Sequence, residues 1–215
     1  MYHFLFFDFD GTICDTGPGI MRSAAWALAR YGLNPTEAEL RGFIGPAPNH
    51  RFRDYYGMDE ARAAEATRLF REMYQKRGKF ERRLYPGMAE LLRELAETGR
   101  RLAVASSKPL PLVRELMESD GILGLFAAVR GSDPEGKQVE KDRILGEAME
   151  AVGVAGRGEA VMIGDRGLDV LGARAQGLGC VGAGWGYAEP GELLEAGAIT
   201  VCETVAGLRE FLLGA

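Results

Sequence analysis

A short apolar run, Phe4-Leu5-Phe6-Phe7, is followed by a carboxylate, Asp8, then by Phe9, and stops abruptly at Asp10-Gly11-Thr12. A run this brief and this rich in bulky side chains reads as a strand buried on both faces, spanning 3–9. Similar runs recur at 102–105, 126–129, 160–163 and 180–184, each flanked by a helix-like stretch of about 10 to 17 residues. Strands that alternate with helices are joined by crossovers rather than hairpins, so the chain is predicted to build a parallel, Rossmann-like α/β sheet. Polar residues gather where its strands end.

The alternation fails between 15 and 83, where only helical patterns are found. The clearest starts at Asp59, an N-cap residue, and places Ala66, Leu69, Phe70 and Met73 at i, i+3, i+4 and i+7. The chain is therefore predicted to carry an all-helical cap subdomain, 15–83, inserted into a core made of 1–14 and 84–215. It leaves the core after the first strand and returns near Tyr85-Pro86-Gly87, a turn signal that precedes a helix over 88–98. Two crossings make a natural hinge.

Composition narrows the chemistry. The 215 residues, 47% apolar and 27% charged, suit one domain with a smaller attachment. With 26 basic and 31 acidic residues the net charge is -5, which argues against a nucleic-acid partner. No apolar run approaches the roughly 20 residues of a membrane span, and no leader pattern opens the chain, so a cytoplasmic protein without membrane contact is expected. Cys14, Cys180 and Cys202 are scattered and odd in number, which fits reduced thiols better than a disulfide framework or a zinc site. His3 and His50 are the only histidines, so the chemistry must rest on carboxylates.

Two clusters supply them, and two more supply a hydroxyl and a lysine. In Asp8-Phe9-Asp10-Gly11-Thr12-Ile13-Cys14-Asp15, two acids two residues apart reach one site if the chain turns after Asp8. Their repulsion calls for a hard cation, and Mg²⁺ takes one or two carboxylates, waters and phosphate oxygens. Gly11 lets the backbone approach a phosphate and offers its N–H. The run 102–105 ends in Ser106-Ser107-Lys108-Pro109, where a hydroxyl and a free N–H before a helix form an anion site or, equally, a helix cap. Ile163-Gly164-Asp165-Arg166-Gly167-Leu168-Asp169 ends another strand in two acids four residues apart; Asp165 is placed to complete a metal site and Asp169 to bind a metal water or orient a nearby cation, the alternative being that both acids only favour a helix N-terminus. Between these lie Lys137 and Lys141. Lys141 is preferred for neutralising a phosphate because it sits immediately before a helix over 144–152.

In this order the motifs resemble those of the haloacid dehalogenase-like phosphatase superfamily, in particular its phosphoglycolate-phosphatase-like members with a helical cap after the first motif. Asp8-x-Asp10-Gly11-Thr12-x-x-Asp15, Ser106, Lys141 and Gly164-Asp165-x-x-x-Asp169 carry the resemblance over essentially the whole chain. It departs at Lys141-Asp142, where many relatives have Lys-Pro. The resemblance implies that Asp8 attacks phosphorus and that Asp10 serves as acid and then base. It further implies that Asp8, the Asp10 carbonyl and Asp165 hold Mg²⁺, that Gly11, Ser106, Ser107 and Lys141 bind phosphate, and that Thr12 and Asp169 support the site. The substrate is expected to be a small phosphorylated metabolite such as phosphoglycolate or a nucleoside monophosphate.

Other readings compete. A sugar phosphomutase or a phosphonate-cleaving enzyme would keep Asp8, and a receiver-like signalling domain also phosphorylates an aspartate, though not on a first strand and without a cap. Gly177-Leu178-Gly179-Cys180-Val181-Gly182 fits GxGxxG, but these glycines enter a strand instead of opening a helix. Lys76, Arg77, Lys79, Arg82 and Arg83 read as a solvated face. The Gly-Pro loop 41–48, with Arg41, His50 and Arg51 nearby, is the expected specificity segment.

Overall fold

The computed structural model describes residues 2–133 and 140–214. Lys137, the second lysine candidate, lies outside the described residues. In chain order the strands are β1 (Phe4–Phe7), β2 (Cys14–Asp15), β3 (Arg83–Leu84), β4 (Arg101–Pro109), β5 (Ala128–Ser132), β6 (Ala160–Gly164), β7 (Gly179–Ala183) and β8 (Thr200–Cys202). The helices are α1 (Gly17–Ala29), α2 (Glu37–Arg41), α3 (Pro48–Asp54), α4 (Glu60–Lys76), α5 (Met88–Glu97), α6 (Leu110–Ser119), α7 (Lys141–Val152), α8 (Gly167–Ala175), α9 (Glu192–Ala196) and α10 (Val205–Leu213).

Six strands form one parallel sheet in the order β5-β4-β1-β6-β7-β8. Because strand side chains alternate between faces, β1 feeds two cores. Leu5 and Phe7 pack with Met88, Leu91, Leu92 and Leu95 of α5, whose i, i+3, i+4, i+7 spacing presents one apolar stripe. Phe6 packs on the other face with Ile144, Leu145, Ala148 and Met149 of α7. Helices therefore cover both faces, and the strand order reverses beside β1, where a doubly wound sheet opens a crevice at the strand ends.

The chain divides into two compact units, Met1–Cys14 with Leu84–Ala215, and Asp15–Arg83. The second contains α1 to α4. Its interior is aromatic: Phe43 lies 4.9 Å from Phe52 and 6.4 Å from Phe70, ring centre to ring centre. Asp59 caps α4 by accepting the Arg62 N–H at 2.8 Å, and Thr36 and Glu39 close a reciprocal capping box on α2. Lys76 is exposed and pairs with Glu72, as a solvated face would have it.

The structure adjusts several boundaries. The strand expected at 102–105 runs on to Pro109, the one at 126–129 begins two residues later, and the helix expected at 144–152 begins at Lys141 itself. The edge strand β8 had no counterpart in the sequence reading; with only three residues it offers too short a pattern. Short strands β2 and β3 pair with each other where the chain passes between the units. Among the described residues no helix is long and apolar enough to cross a membrane.

Candidate active site

Asp8 follows β1 with its backbone N–H still bonded to the Ile163 carbonyl at 2.9 Å. Alternation puts it on the Phe6 side of the sheet, the side covered by α7. Lys141, the first residue of α7, meets it there: Nζ stands 3.0 Å from Asp8 Oδ1 and 2.6 Å from Asp169 Oδ1, and donates to the Ala105 carbonyl at 2.8 Å. Three acceptors match the three donors of an ammonium. Lys141 is thus engaged with the predicted nucleophile, and Asp169 orients it. The second oxygen of Asp169 accepts the Arg166 N–H at 3.0 Å, tying this contact to the start of α8.

Asp165 directly follows β6, whose Ile163 lies beside Phe7 of β1. It is fully buried, and its carboxylate accepts the Thr12 hydroxyl at 3.0 Å and the Tyr187 N–H at 2.9 Å. Gly11 faces it with a φ of +81°, and a Cβ at that position would collide with the Asp165 carboxylate, so glycine is required on both counts.

On the other flank, β4 carries Ser106 and Ser107 past the end of β1. Ser106 is buried and its hydroxyl oxygen accepts the Lys108 N–H at 3.3 Å. Pairing with β5 slips between Ser106 and Pro109, a bulge that re-aims the intervening side chains. Gly131 of β5 makes room for it: a Cβ there would stand 2.6 Å from the Lys108 carbonyl oxygen. Lys108 consequently turns to Asp10, with Nζ 3.0 Å from each carboxylate oxygen.

Burial pushes the Asp8 carboxyl up to about 6, with Lys141 opposing the shift and Asp169 and Asp10 adding to it. Asp165 is also raised, by burial first and then by the charges of Asp169 and Asp8. Burial alone would lower Lys141, but Asp169 and Asp8 outweigh it and keep the ammonium charged. Oxygens of Asp8, Asp165 and Asp169 lie within 4.8 Å of one another. Three buried carboxylates against one lysine leave negative charge that a hard divalent cation would neutralise, and the all-oxygen donor set suits one.

The profile of the haloacid dehalogenase-like hydrolases matches residues 5–183, a stretch that contains every group just described except the Tyr187 N–H. The chain belongs to the haloacid dehalogenase-like hydrolase family. It is 38% identical to a 5'-nucleotidase of Pseudomonas aeruginosa, over 98% of this chain and 96% of that one. It is 34% identical to the tyrosine-protein kinase PtkA of Mycobacterium tuberculosis, over 96% of this chain and 71% of the relative. The crystal structure of a predicted phosphatase from Clostridium acetobutylicum superimposes with a TM-score of 0.94, at 32% identity and full coverage of both chains.

Within this haloacid dehalogenase-like core the structure brings together Asp8, Asp10, Gly11, Thr12, Lys141, Asp165 and Asp169, with Ser106 and Ser107 on the neighbouring strand. Sequence reasoning passed over two groups. Lys108 belongs to the segment that the sequence offers as an anion site or a helix cap, and its partner Asp10 is set by the bulge after Ser106, which no local pattern signals. Trp185-Gly186-Tyr187 forms no motif in the sequence, yet the Tyr187 N–H donates to Asp165 and the Trp185 indole N–H donates to the Thr12 carbonyl at 3.1 Å. In the other unit, Phe43 and Ile44 of the Gly-Pro loop turn into the aromatic interior. Arg51 lies 3.7 Å over the Tyr55 ring, and Arg41 and His50 are exposed.

Proposed function

We propose that this hydrolase is a Mg²⁺-dependent phosphatase that cleaves a small phosphomonoester, of the phosphoglycolate or nucleoside monophosphate type, through an aspartyl-phosphate on Asp8. The observation that carries the reading is the buried Asp8 itself, held 3.0 Å from Lys141 and clustered with the carboxylates of Asp165 and Asp169. A carboxylate placed there without a chemical task would only cost desolvation.

In the first step an Asp8 oxygen bonds to phosphorus, the ester P–O bond breaks, and Asp10 gives its proton to the departing alcohol. In the second, Asp10 takes a proton from water as the water oxygen bonds to phosphorus and the Asp8–phosphorus bond breaks. Lys108 fixes the Asp10 carboxylate, and Lys141 offsets the negative charge of the nucleophile as the anionic phosphate approaches. Asp8, the Asp10 carbonyl and Asp165 would hold Mg²⁺, which supplies charge neutralisation at the transferred phosphoryl group. Gly11, Ser106 and Ser107 would line its oxygens.

Phosphate release from phosphoglycolate, nucleoside monophosphates and sugar phosphates tests this, measured with Mg²⁺ or chelator for the native protein and Asp8→Asn. Mg²⁺-dependent release that the variant loses supports the reading, and the ranking of compounds narrows the substrate. Equal release by both proteins, or none from any compound, overturns it. The likeness to a relative named as a tyrosine-protein kinase favours a second reading, phosphoryl transfer to an acceptor hydroxyl. Free phosphate as sole product excludes it; a phosphorylated acceptor establishes it.

A further inference from the structure

The segment after β7 closes a ring around one acid of the site. The Trp185 indole N–H donates to the Thr12 carbonyl at 3.1 Å, the Thr12 hydroxyl donates to Asp165 Oδ1 at 3.0 Å, and the Tyr187 N–H donates to Asp165 Oδ2 at 2.9 Å. Gly186 joins the two ends. A Cβ on it would collide with Asp165 and stand 2.6 Å from the Gly11 carbonyl oxygen, so only glycine lets the segment lie this close. The segment is anchored in turn: Gly186 N–H donates to the Ala183 carbonyl at 3.1 Å, and the Trp185 ring meets the Tyr85 ring edge-on at 6.2 Å.

Each Asp165 oxygen therefore accepts one protein hydrogen bond, and each retains a lone pair whose direction the ring fixes. The same ring ties the Gly11-Thr12 turn, which follows Asp10, to the end of β6. We propose that Trp185 and Gly186 are positioning residues that set divalent-cation affinity by locking the Asp165 carboxylate against the turn after Asp10, without touching substrate. The proposal rests on the reading of Asp165 as a cation ligand. Groups that orient a ligand carboxylate from behind typically govern metal affinity by a factor of about 10 to 100.

The test is Mn²⁺ binding to the full-length protein in the absence of substrate, followed by the electron paramagnetic resonance of free Mn²⁺, with thermal unfolding in chelator recorded alongside. Trp185→Phe removes the indole N–H and keeps a ring against Tyr85; Gly186→Ala adds the colliding methyl; Asp165→Asn is the control for the site itself. The expected result is binding weakened about tenfold or more in Trp185→Phe and further in Gly186→Ala, with the melting temperature of Trp185→Phe close to native. Native affinity in Trp185→Phe overturns the positioning role and leaves the cation site standing, and so does a lowered melting temperature with unchanged affinity. Failure of the native protein to bind Mn²⁺, or undiminished binding by Asp165→Asn, instead overturns Asp165 as a ligand and the ring's role with it.

Discussion

Lys108 grips both carboxylate oxygens of Asp10 at 3.0 Å, in a pair whose side chains are only 6% and 10% exposed. Removing one partner of a buried pair leaves the other charge without compensation, which typically costs about 3 to 5 kcal/mol. Lys108→Met is expected to lose stability on that scale in urea unfolding and to lower kcat at least tenfold. Because Asp10→Asn removes the stranded charge, the double variant should unfold at a higher urea concentration than Lys108→Met alone; strictly additive losses would show that the pair is not coupled.

The same pair depends on a glycine in the next strand. A methyl at 131 meets the Lys108 carbonyl and the Leu110 backbone, both rigid parts of the bulge. Gly131→Ala should therefore reduce kcat in the direction of Lys108→Met while leaving Mg²⁺ affinity near native. A variant with native kcat would mean that the bulge relaxes without moving the ammonium.

Asp8 gives a pH dependence whose sign is fixed. Its carboxyl is raised from 3.8 to about 6 in the folded protein, so between those values the native state holds a proton that the unfolded chain has released. Asp8 then contributes a fall in the stability of the cation-free protein as pH rises through this window, on the order of 3 kcal/mol at about 1.4 kcal/mol per unit, and Asp165 acts in the same direction. Melting temperatures in chelator between pH 4 and 7.5 should show the decline, and Mg²⁺ should offset it. A chelated protein whose stability is flat or rising across this range would refute the assignment.

Gly11→Ala combines a disfavoured φ of +81° with a collision against Asp165. Strain of this kind costs about 1 to 3 kcal/mol and is relieved by moving either the turn or the carboxylate. Turnover should fall by about 100-fold or more even at saturating Mg²⁺, because one misplaced group suffices to lose near-attack geometry. Steady-state kinetics across a Mg²⁺ series would check this, and recovery of native kcat would contradict it.

The alternation of apolar runs with helical stretches was enough to give a parallel sheet, because strand and helix periods are local properties of the chain. The acids were legible for the same reason. Asp8, Asp10 and Asp165 each stand where an apolar run stops, and a carboxylate at the end of a buried strand has few explanations other than function. Strand β8 and the extension of β4 to Pro109 were not legible, since Ser106-Ser107-Lys108 has no apolar period and owes its extended form to pairing with β5.

Lys141 is the lysine that stands among the acids of the described site, and what it does in the fold was decided at a distance. Its three donors go to Asp8, Asp169 and Ala105, groups separated from it by 36 residues of chain in one case and by far more in another. Lys108 and Trp185 show the same limit: each bonds to the turn formed by Asp10 and Thr12 from a strand end remote in sequence. The sequence alone determined which carboxylates exist, in what order, and on what kind of sheet they sit. Only the tertiary structure decided which cation faces which acid, because parallel pairing, a bulge and two tight glycines set those partners, and none of these is a local property of the chain.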